Sequence, residues 1–199
     1  PQKEPAKKVD LESAIEVELP GLQKLPGLQV EPYLMSQATK AALMTHLANL
    51  AGEGTPVAFH AAMHAYYHWA LPELSALRLV DPTGSADPAT VLELLQLGEL
   101  DALSHACLSS CHTGKSDLNT TAGEGIGLVE LFLYLGSPSV LSSHYPIIDQ
   151  TTAETVPAIY QARLAGADLG EALRNVILQR FDDNDFLLVH WAAFKPTCS

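Results

Sequence analysis

The segment ALSHACLSSCHTG, residues 102–114, joins a short apolar stretch to a polar turn that contains Gly114. Such a run of apolar and small residues is typical of a strand that is buried on both faces of a parallel sheet. Cys111 follows the predicted strand directly, so its thiol can be exposed while the backbone around it is held rigidly. The segment therefore predicts a buried strand with a candidate nucleophile at its carboxyl end.

A similar arrangement occurs upstream in VAFHAAMH, residues 57–64, where an apolar stretch leads to His64. In parallel sheets, functional groups gather beyond the carboxyl ends of the strands. A thiolate nucleophile needs an imidazole that lowers its pKa or accepts its proton. If the two strands are neighbours, His64 and Cys111 emerge at the same edge, where N–H groups of the turns can hold an oxyanion. A buried thiol and a core or surface histidine are the competing interpretation, which the pattern alone leaves open.

The rest of the chain alternates between helix-like and strand-like segments. Helical spacing of apolar residues marks the ranges 31–50, 87–99, 123–136, 150–166 and 168–181, and short apolar runs mark 74–81, 137–143 and 186–194. This alternation favours an α/β fold with a mainly parallel sheet. Residues 1–30 are rich in Pro, Gly, Lys and Glu and predict an extended arm or linker whose leucines dock on the core. Residues 31–199 are then the folded domain.

The charge balance and the cysteines exclude several classes of protein. The net charge of −12, from 23 acidic and 11 basic residues, argues against partners such as nucleic acid or an anionic membrane. The charged N-terminus does not resemble a signal peptide, and no apolar run approaches the roughly 18 residues of a membrane span. Three cysteines make an odd count, which indicates free thiols in a reducing compartment. We therefore expect a cytoplasmic protein.

Histidine recurs at every fourth position in HAAMHAYYH, residues 60–68. This spacing places His60, His64 and His68 on one face in either a helix or a strand. Further ligands of the kinds that zinc takes are His105, Cys107, Cys111 and His112. No recognised ligand spacing such as CxxC or HExxH is present, so we predict no metal or cofactor and keep a zinc-binding domain as a minor alternative. We interpret His60 as a strand residue that leans into the fold and His68 as part of the following loop.

Four blocks of the sequence resemble the CHAT family, which comprises caspase-like cysteine peptidases that are often joined to tetratricopeptide repeats and are related to separases and caspases. The blocks are LSSCHTG with the following GEGIGLVELFLYLGSPSVLSS, FHAAMHAYYHWALPELSALRLVD, IDQTTAETVPAIYQARLAGADLGEALRNV and HWAAF. They occur in the family's order and cover about residues 31–194. The resemblance implies a caspase-like three-layer α/β/α sandwich with a mainly parallel central sheet.

The resemblance also implies roles for particular residues. The family's catalytic histidine falls on His64 and its catalytic cysteine on Cys111, and backbone N–H groups at Ala65 and Cys111 would hold the oxyanion. Ala65 stands where the family usually has glycine, but alanine still supplies an N–H. The implied activity is that of a cysteine endopeptidase that cleaves a specific protein partner and is controlled by a sensor, a regulatory partner chain or a repeat domain.

Substrate selection is where this sequence departs most from the family's pattern. His112 replaces the acidic residue that follows the cysteine, and SSH, ending at His144, replaces the usual SLW. Asp149, in the loop that matches the family's VDD, is the candidate for binding a basic side chain before the cut, although it also suits a helix N-cap. These departures motivate the alternative of a catalytically silent interaction module on the same fold.

Overall fold

The computed structural model describes residues 12–52, 54–110, 113, 126–144, 149–182 and 193–198. Its strands are β1 (Val57–Ala61), β2 (Ala65–Tyr66), β3 (Ala76–Leu77), β4 (Ala89–Thr90), β5 (Leu103–Leu108), β6 (Ser139–Ser143) and β7 (Phe194–Cys198). Its α-helices are α1 (Leu19–Gln23), α2 (Lys40–Ala48), α3 (Val91–Leu94), α4 (Leu128–Tyr134), α5 (Asp149–Leu164) and α6 (Leu169–Asp182). A π-helical turn, Ala14–Glu18, precedes α1, and short 3₁₀ turns lie at Met35–Gln37, Pro72–Leu74 and Leu95–Leu97.

Among the described residues, the main sheet has four strands in the order β1-β5-β6-β7. The first three are parallel to one another, and β7 runs antiparallel to β6 at the edge. The register pairs His60 with Cys107 and Ala61 with Leu108 across β1 and β5. A second, small antiparallel sheet has the order β2-β3-β4 and follows the end of β1 in the chain.

Apolar side chains cover both faces of the main sheet because successive strand residues point to opposite sides. On one face Ala106 and Leu108 of β5 pack with a cluster that includes Phe132 of α4 and residues of α2 and α3. On the other face Cys107 packs with a cluster that includes Ile159 of α5 and residues of α1 and α6. Helices therefore enclose the sheet from both sides, and the predicted three-layer α/β/α architecture with a mainly parallel sheet is confirmed.

Several predicted helix ends are confirmed by their backbone geometry. Gly136 follows α4 with a φ of +98° and Gly166 follows α5 with a φ of +101°, a region that favours glycine. At the start of α6 the Asp168 carboxylate accepts a hydrogen bond of 2.7 Å from the N–H of Glu171. No helix in these described ranges has the length and hydropathy needed to cross a bilayer.

The helices predicted over 31–50 and 87–99 begin later than predicted because threonine hydroxyls cap their first turns. Thr39 caps α2 by accepting a hydrogen bond from the N–H of Ala42 at 3.2 Å, so this helix begins well after Pro32. Thr90 caps α3 in the same way through the N–H of Glu93 at 3.2 Å, so Asp87 and Pro88 lie outside the helix. A threonine side chain that satisfies a free N–H fixes the first turn more firmly than an upstream proline.

Two predicted strands also differ from the observed ones. The range 74–81 contains only the two-residue strand β3, which belongs to the small sheet. The closing strand is β7, which begins at Phe194, the last residue of the predicted range 186–194, whereas residues 183–192 lie outside the described residues. Pro196 is tolerated in β7 because an edge strand has N–H groups that the sheet does not need.

The N-terminal residues 14–23, here called the N-terminal segment, are helical rather than extended. Pro20 lies in the first turn of α1, directly after the π-helical turn Ala14–Glu18. Leu22 is buried against the cluster formed by α5 and α6, so the predicted docking of leucines on the core is confirmed. The boundary between an arm and a domain at residue 30 remains a prediction.

Candidate active site

His64 lies three residues beyond β1, in the short connection to β2. The backbone on both sides is fixed, since the carbonyl of His64 accepts a hydrogen bond of 2.8 Å from Arg78 and Met63 packs on the core. The Nε2 atom of His64 is buried and has no hydrogen-bond partner among the described residues. A buried polar atom without a hydrogen-bond partner is uncommon, and a catalytic role is one explanation for it.

The end of β5 is tied to the end of β1. Leu108 pairs with Ala61 in the parallel register, and the hydroxyl of Ser110 donates a hydrogen bond of 3.2 Å to the carbonyl of Ala61. His64 and Cys111 each stand three residues after this pair along their own strands. The sheet edge predicted for the two residues is thus the edge where β1 and β5 end together. Cys111 and its neighbour His112 lie outside the described residues.

The turn that follows β5 is also bonded to β6. The hydroxyl of Thr113 lies 3.2 Å from the carbonyl of Leu108 and 3.1 Å from that of Ser110, and it accepts a hydrogen bond of 3.1 Å from the N–H of Ser143. The hydroxyl of Ser143 donates to the Ser110 carbonyl at 2.5 Å. These buried bonds fix the chain on both sides of position 111, as a rigidly held nucleophile requires.

The residues predicted to hold an oxyanion or a substrate are described only in part. Ala65 opens β2 and pairs with Leu77, so its backbone is held by the small sheet. The N–H of His144 donates to the carbonyl of Ala193 at 2.9 Å, just beyond β6. The helix α5 begins at Asp149, whose side chain lies outside the described atoms. The roles of Ala65, His144 and Asp149 remain predictions.

The three evenly spaced histidines have separate surroundings. The side chain of His60 faces Glu18 and Tyr160, with Nε2 at 2.9 Å from Oε1 of Glu18. His68 lies in the loop after β2, where its Nδ1 accepts a hydrogen bond of 3.0 Å from the N–H of Leu71. The interpretations of His60 as a strand residue and His68 as a loop residue are confirmed. Within the described parts of the chain, no group of three or more His, Cys, Asp or Glu side chains is arranged to hold a metal ion.

Sequence reasoning missed a second cluster of titratable groups on the α5 face of the sheet. Cys107 is fully buried and stands opposite His60 in the strand register, and the Nδ1 atom of His60 lies 3.3 Å from the hydroxyl of Tyr160. Glu18 completes the cluster from the N-terminal segment. The sequence could have indicated part of this cluster, because His60 precedes His64 by four residues and Cys107 precedes Cys111 by the same number. Nothing in the sequence points to Glu18.

The charges in this cluster are set by burial and by the neighbouring groups. Burial opposes the charging of His60, but Cys107 and Glu18 outweigh it and raise the pKa of His60 well above its usual value. Burial, followed by the positive charge of Arg163, lowers the pKa of His105 to about 4, so this histidine is neutral at neutral pH. Burial next to Cys107 and Glu18 raises the pKa of the Tyr160 hydroxyl well above its usual value.

The comparison with known sequences agrees with the fold. The family model of the CHAT domain matches residues 8–199, nearly the whole chain. No curated protein matches the sequence. The match begins within the N-terminal region and extends through both candidate catalytic positions. The chain therefore belongs to the CHAT domain family, whose fold is that of the caspase-like cysteine peptidases.

Proposed function

We propose that this chain is a cysteine endopeptidase that uses His64 and Cys111 as a catalytic dyad. The observation that carries the proposal is the pairing of Ala61 with Leu108, because the two residues stand at equal distances before His64 and Cys111 on adjacent parallel strands. The buried Nε2 of His64, which has no partner within the described residues, is available for the thiol. Membership of the CHAT family supports the same assignment.

The reaction follows from these positions. His64 accepts the proton of the Cys111 thiol, and the thiolate forms a bond to the carbonyl carbon of the peptide substrate. The carbonyl oxygen becomes an oxyanion, which the backbone N–H groups of Ala65 and Cys111 stabilise. When the C–N bond breaks, the protonated His64 donates its proton to the leaving amine. Water then hydrolyses the thioester, with His64 as general base, and restores the thiol.

The proposed substrate is a protein partner, and its side chains are recognised near the end of β6. Asp149, His112 and His144 are the proposed substrate-binding residues, with Asp149 suited to a basic side chain. A net charge of −12 also favours basic segments over acidic ones. We further propose that a sensor or regulatory partner activates the chain, as in peptidases of this family that are joined to repeat domains.

A catalytically silent interaction module is the second candidate function. Alanine at position 65 and histidine at positions 112 and 144 depart from the family's pattern in the region where catalysis and substrate selection take place. Such a module would keep the sandwich and its strand ends, but it would not activate the thiol of Cys111.

Labelling with an electrophilic peptide probe, such as a peptidyl acyloxymethyl ketone, distinguishes the two. In a native cell extract, which supplies the regulatory partner, we expect Cys111-selective labelling of the wild type, and its loss in both Cys111→Ala and His64→Ala. Cys198→Ala is the matched control because Cys198 is an exposed free thiol on β7. Labelling that survives in Cys111→Ala, or that does not depend on His64, would favour the silent module.

A further inference from the structure

Glu18 is an unusual residue for a peripheral segment because its carboxylate is buried. The residue is 2% exposed, whereas Glu12 and Glu16 nearby are exposed. Its Oε1 lies 2.9 Å from Nε2 of His60, a residue of β1. A buried carboxylate is strongly unfavourable unless an opposite charge and hydrogen bonds compensate for its lost hydration. The N-terminal segment thus buries one acidic side chain, which contacts the strand that precedes His64.

A close backbone approach shows that this docking is specific. The N-terminal segment packs against α5, where a Cβ atom built on Gly21 would lie 2.8 Å from Cγ of Pro157. Real Cβ atoms essentially never approach this closely, so any larger residue would displace the segment. Leu22 is 5% exposed and joins the cluster on this face. The segment is therefore held at two points, by α5 and by β1.

Each element that packs around His60 places a charged or polar group near it. The N-terminal segment contributes Glu18, β5 contributes Cys107 and the neutral His105, and α5 contributes the hydroxyl of Tyr160. From α5 the positive charge of Arg163 also acts on His105 and Tyr160. Protonated His60 is thus the cation in direct contact with the Glu18 carboxylate.

We propose that Glu18 and His60 are positioning residues of the candidate peptidase, whose ion pair fastens the N-terminal segment to β1 and fixes the strand end that carries His64. The inference rests on the proposed function of His64. Only three residues separate His60 from His64, so movement of β1 is transmitted to the catalytic imidazole. A misplacement of about 1 Å in a catalytic group can lower the reaction rate about a hundredfold.

The pairing makes the docking of the N-terminal segment depend on pH. After Cys107, Glu18 also raises the pKa of His60, so protonated His60 stabilises the docked state, and this stabilisation is complete below the ordinary pKa of about 6.5. This stabilisation is lost as the pH rises through the raised pKa. Docking of the segment should therefore weaken towards alkaline pH.

Hydrogen exchange and probe labelling of the full chain test the inference together. We expect Glu18→Gln to accelerate exchange about tenfold or more in residues 14–23 and 57–61 and to slow probe labelling of Cys111 about fivefold or more. Glu16→Gln, which removes an exposed charge from the same segment, should stay within about twofold of the wild type. In the wild type, protection of residues 14–23, corrected for intrinsic exchange, should fall as the pH rises above about 6.5 and through the raised pKa of His60, and Glu18→Gln should lack this pH dependence.

Unchanged exchange of β1 in Glu18→Gln would overturn the inference, and so would faster exchange with undiminished labelling. If this variant does not fold, the wild-type pH series decides, because protection that does not fall with rising pH contradicts the ion pair. A wild type that the probe does not label even in a native cell extract, which supplies the regulatory partner, contradicts the proposed function instead. Exchange in residues 57–61 needs no activity, so it still shows whether the pair holds the strand.

Discussion

Ser110 connects three strands at the candidate site. Its hydroxyl donates to the carbonyl of Ala61 at 3.2 Å, and its carbonyl accepts the hydroxyl of Ser143 at 2.5 Å. The residue is 2% exposed and directly precedes Cys111. A buried hydroxyl that bonds a neighbouring strand makes a modest contribution to stability, but it fixes local geometry strongly. Ser110 thus affects Cys111 by fixing its position and takes no part in the reaction itself.

We expect Ser110→Ala to lower the free energy of unfolding by about 1 to 3 kcal/mol, because the buried carbonyl of Ala61 loses a partner. Probe labelling of Cys111 should slow about tenfold as the two strand ends separate. Ser109→Ala is the matched control, since the buried hydroxyl of Ser109 has no hydrogen-bond partner in the described part of the chain. Equal effects of the two variants in chemical denaturation and labelling would contradict this role.

At the scale of elements, the contact between the N-terminal segment and α5 is so close that one added methyl group tests it. Gly21 of α1 faces Pro157, which lies inside α5, at a distance that leaves no room for a Cβ atom. The segment brings Leu22 and Glu18 to the same face of the sheet. This docking therefore depends on shape as well as charge.

We expect Gly21→Ala to lower the free energy of unfolding by about 1 to 3 kcal/mol, the usual cost of overpacking, because the segment must shift away from Pro157. Gly52→Ala should change stability by less than about 0.5 kcal/mol, since nothing lies within 4 Å of a Cβ built there. Thermal or urea unfolding measures both values. A Gly21→Ala protein as stable as Gly52→Ala would show that the contact is not close in solution.

At the scale of the whole molecule, the strands that are buried on both faces were the most predictable elements. β5 and β6 appear in the sequence as short runs of apolar and small residues because both of their faces are buried, whereas β1 is mostly half-buried. The parallel order of the three strands follows from the helices between them. The same reasoning predicted that the ends of β1 and β5 lie at one edge if the two strands are neighbours, and the register shows that they are. The sequence therefore indicated the sheet edge at which His64 lies.

Elements that depend on distant partners were not predictable. Pro20 and Gly21 suit a turn, whereas the helical, docked conformation of the N-terminal segment depends on His60 and Pro157, which are far away in the sequence. Strands of two residues, such as β2 and β3, are too short to show a pattern. β7 contains Pro196 and reads as a loop, because an antiparallel edge strand does not need the apolar run of a central one.

The most direct measurement is a proteome-wide comparison of new N-termini in a native cell extract, which supplies the regulatory partner, after addition of wild-type, Cys111→Ala or Cys198→Ala protein. We predict a small set of cleavage sites with the wild type and with Cys198→Ala, and none of these sites with Cys111→Ala, which should fold normally. Cleavage by Cys111→Ala at the wild-type rate would contradict a peptidase that depends on Cys111.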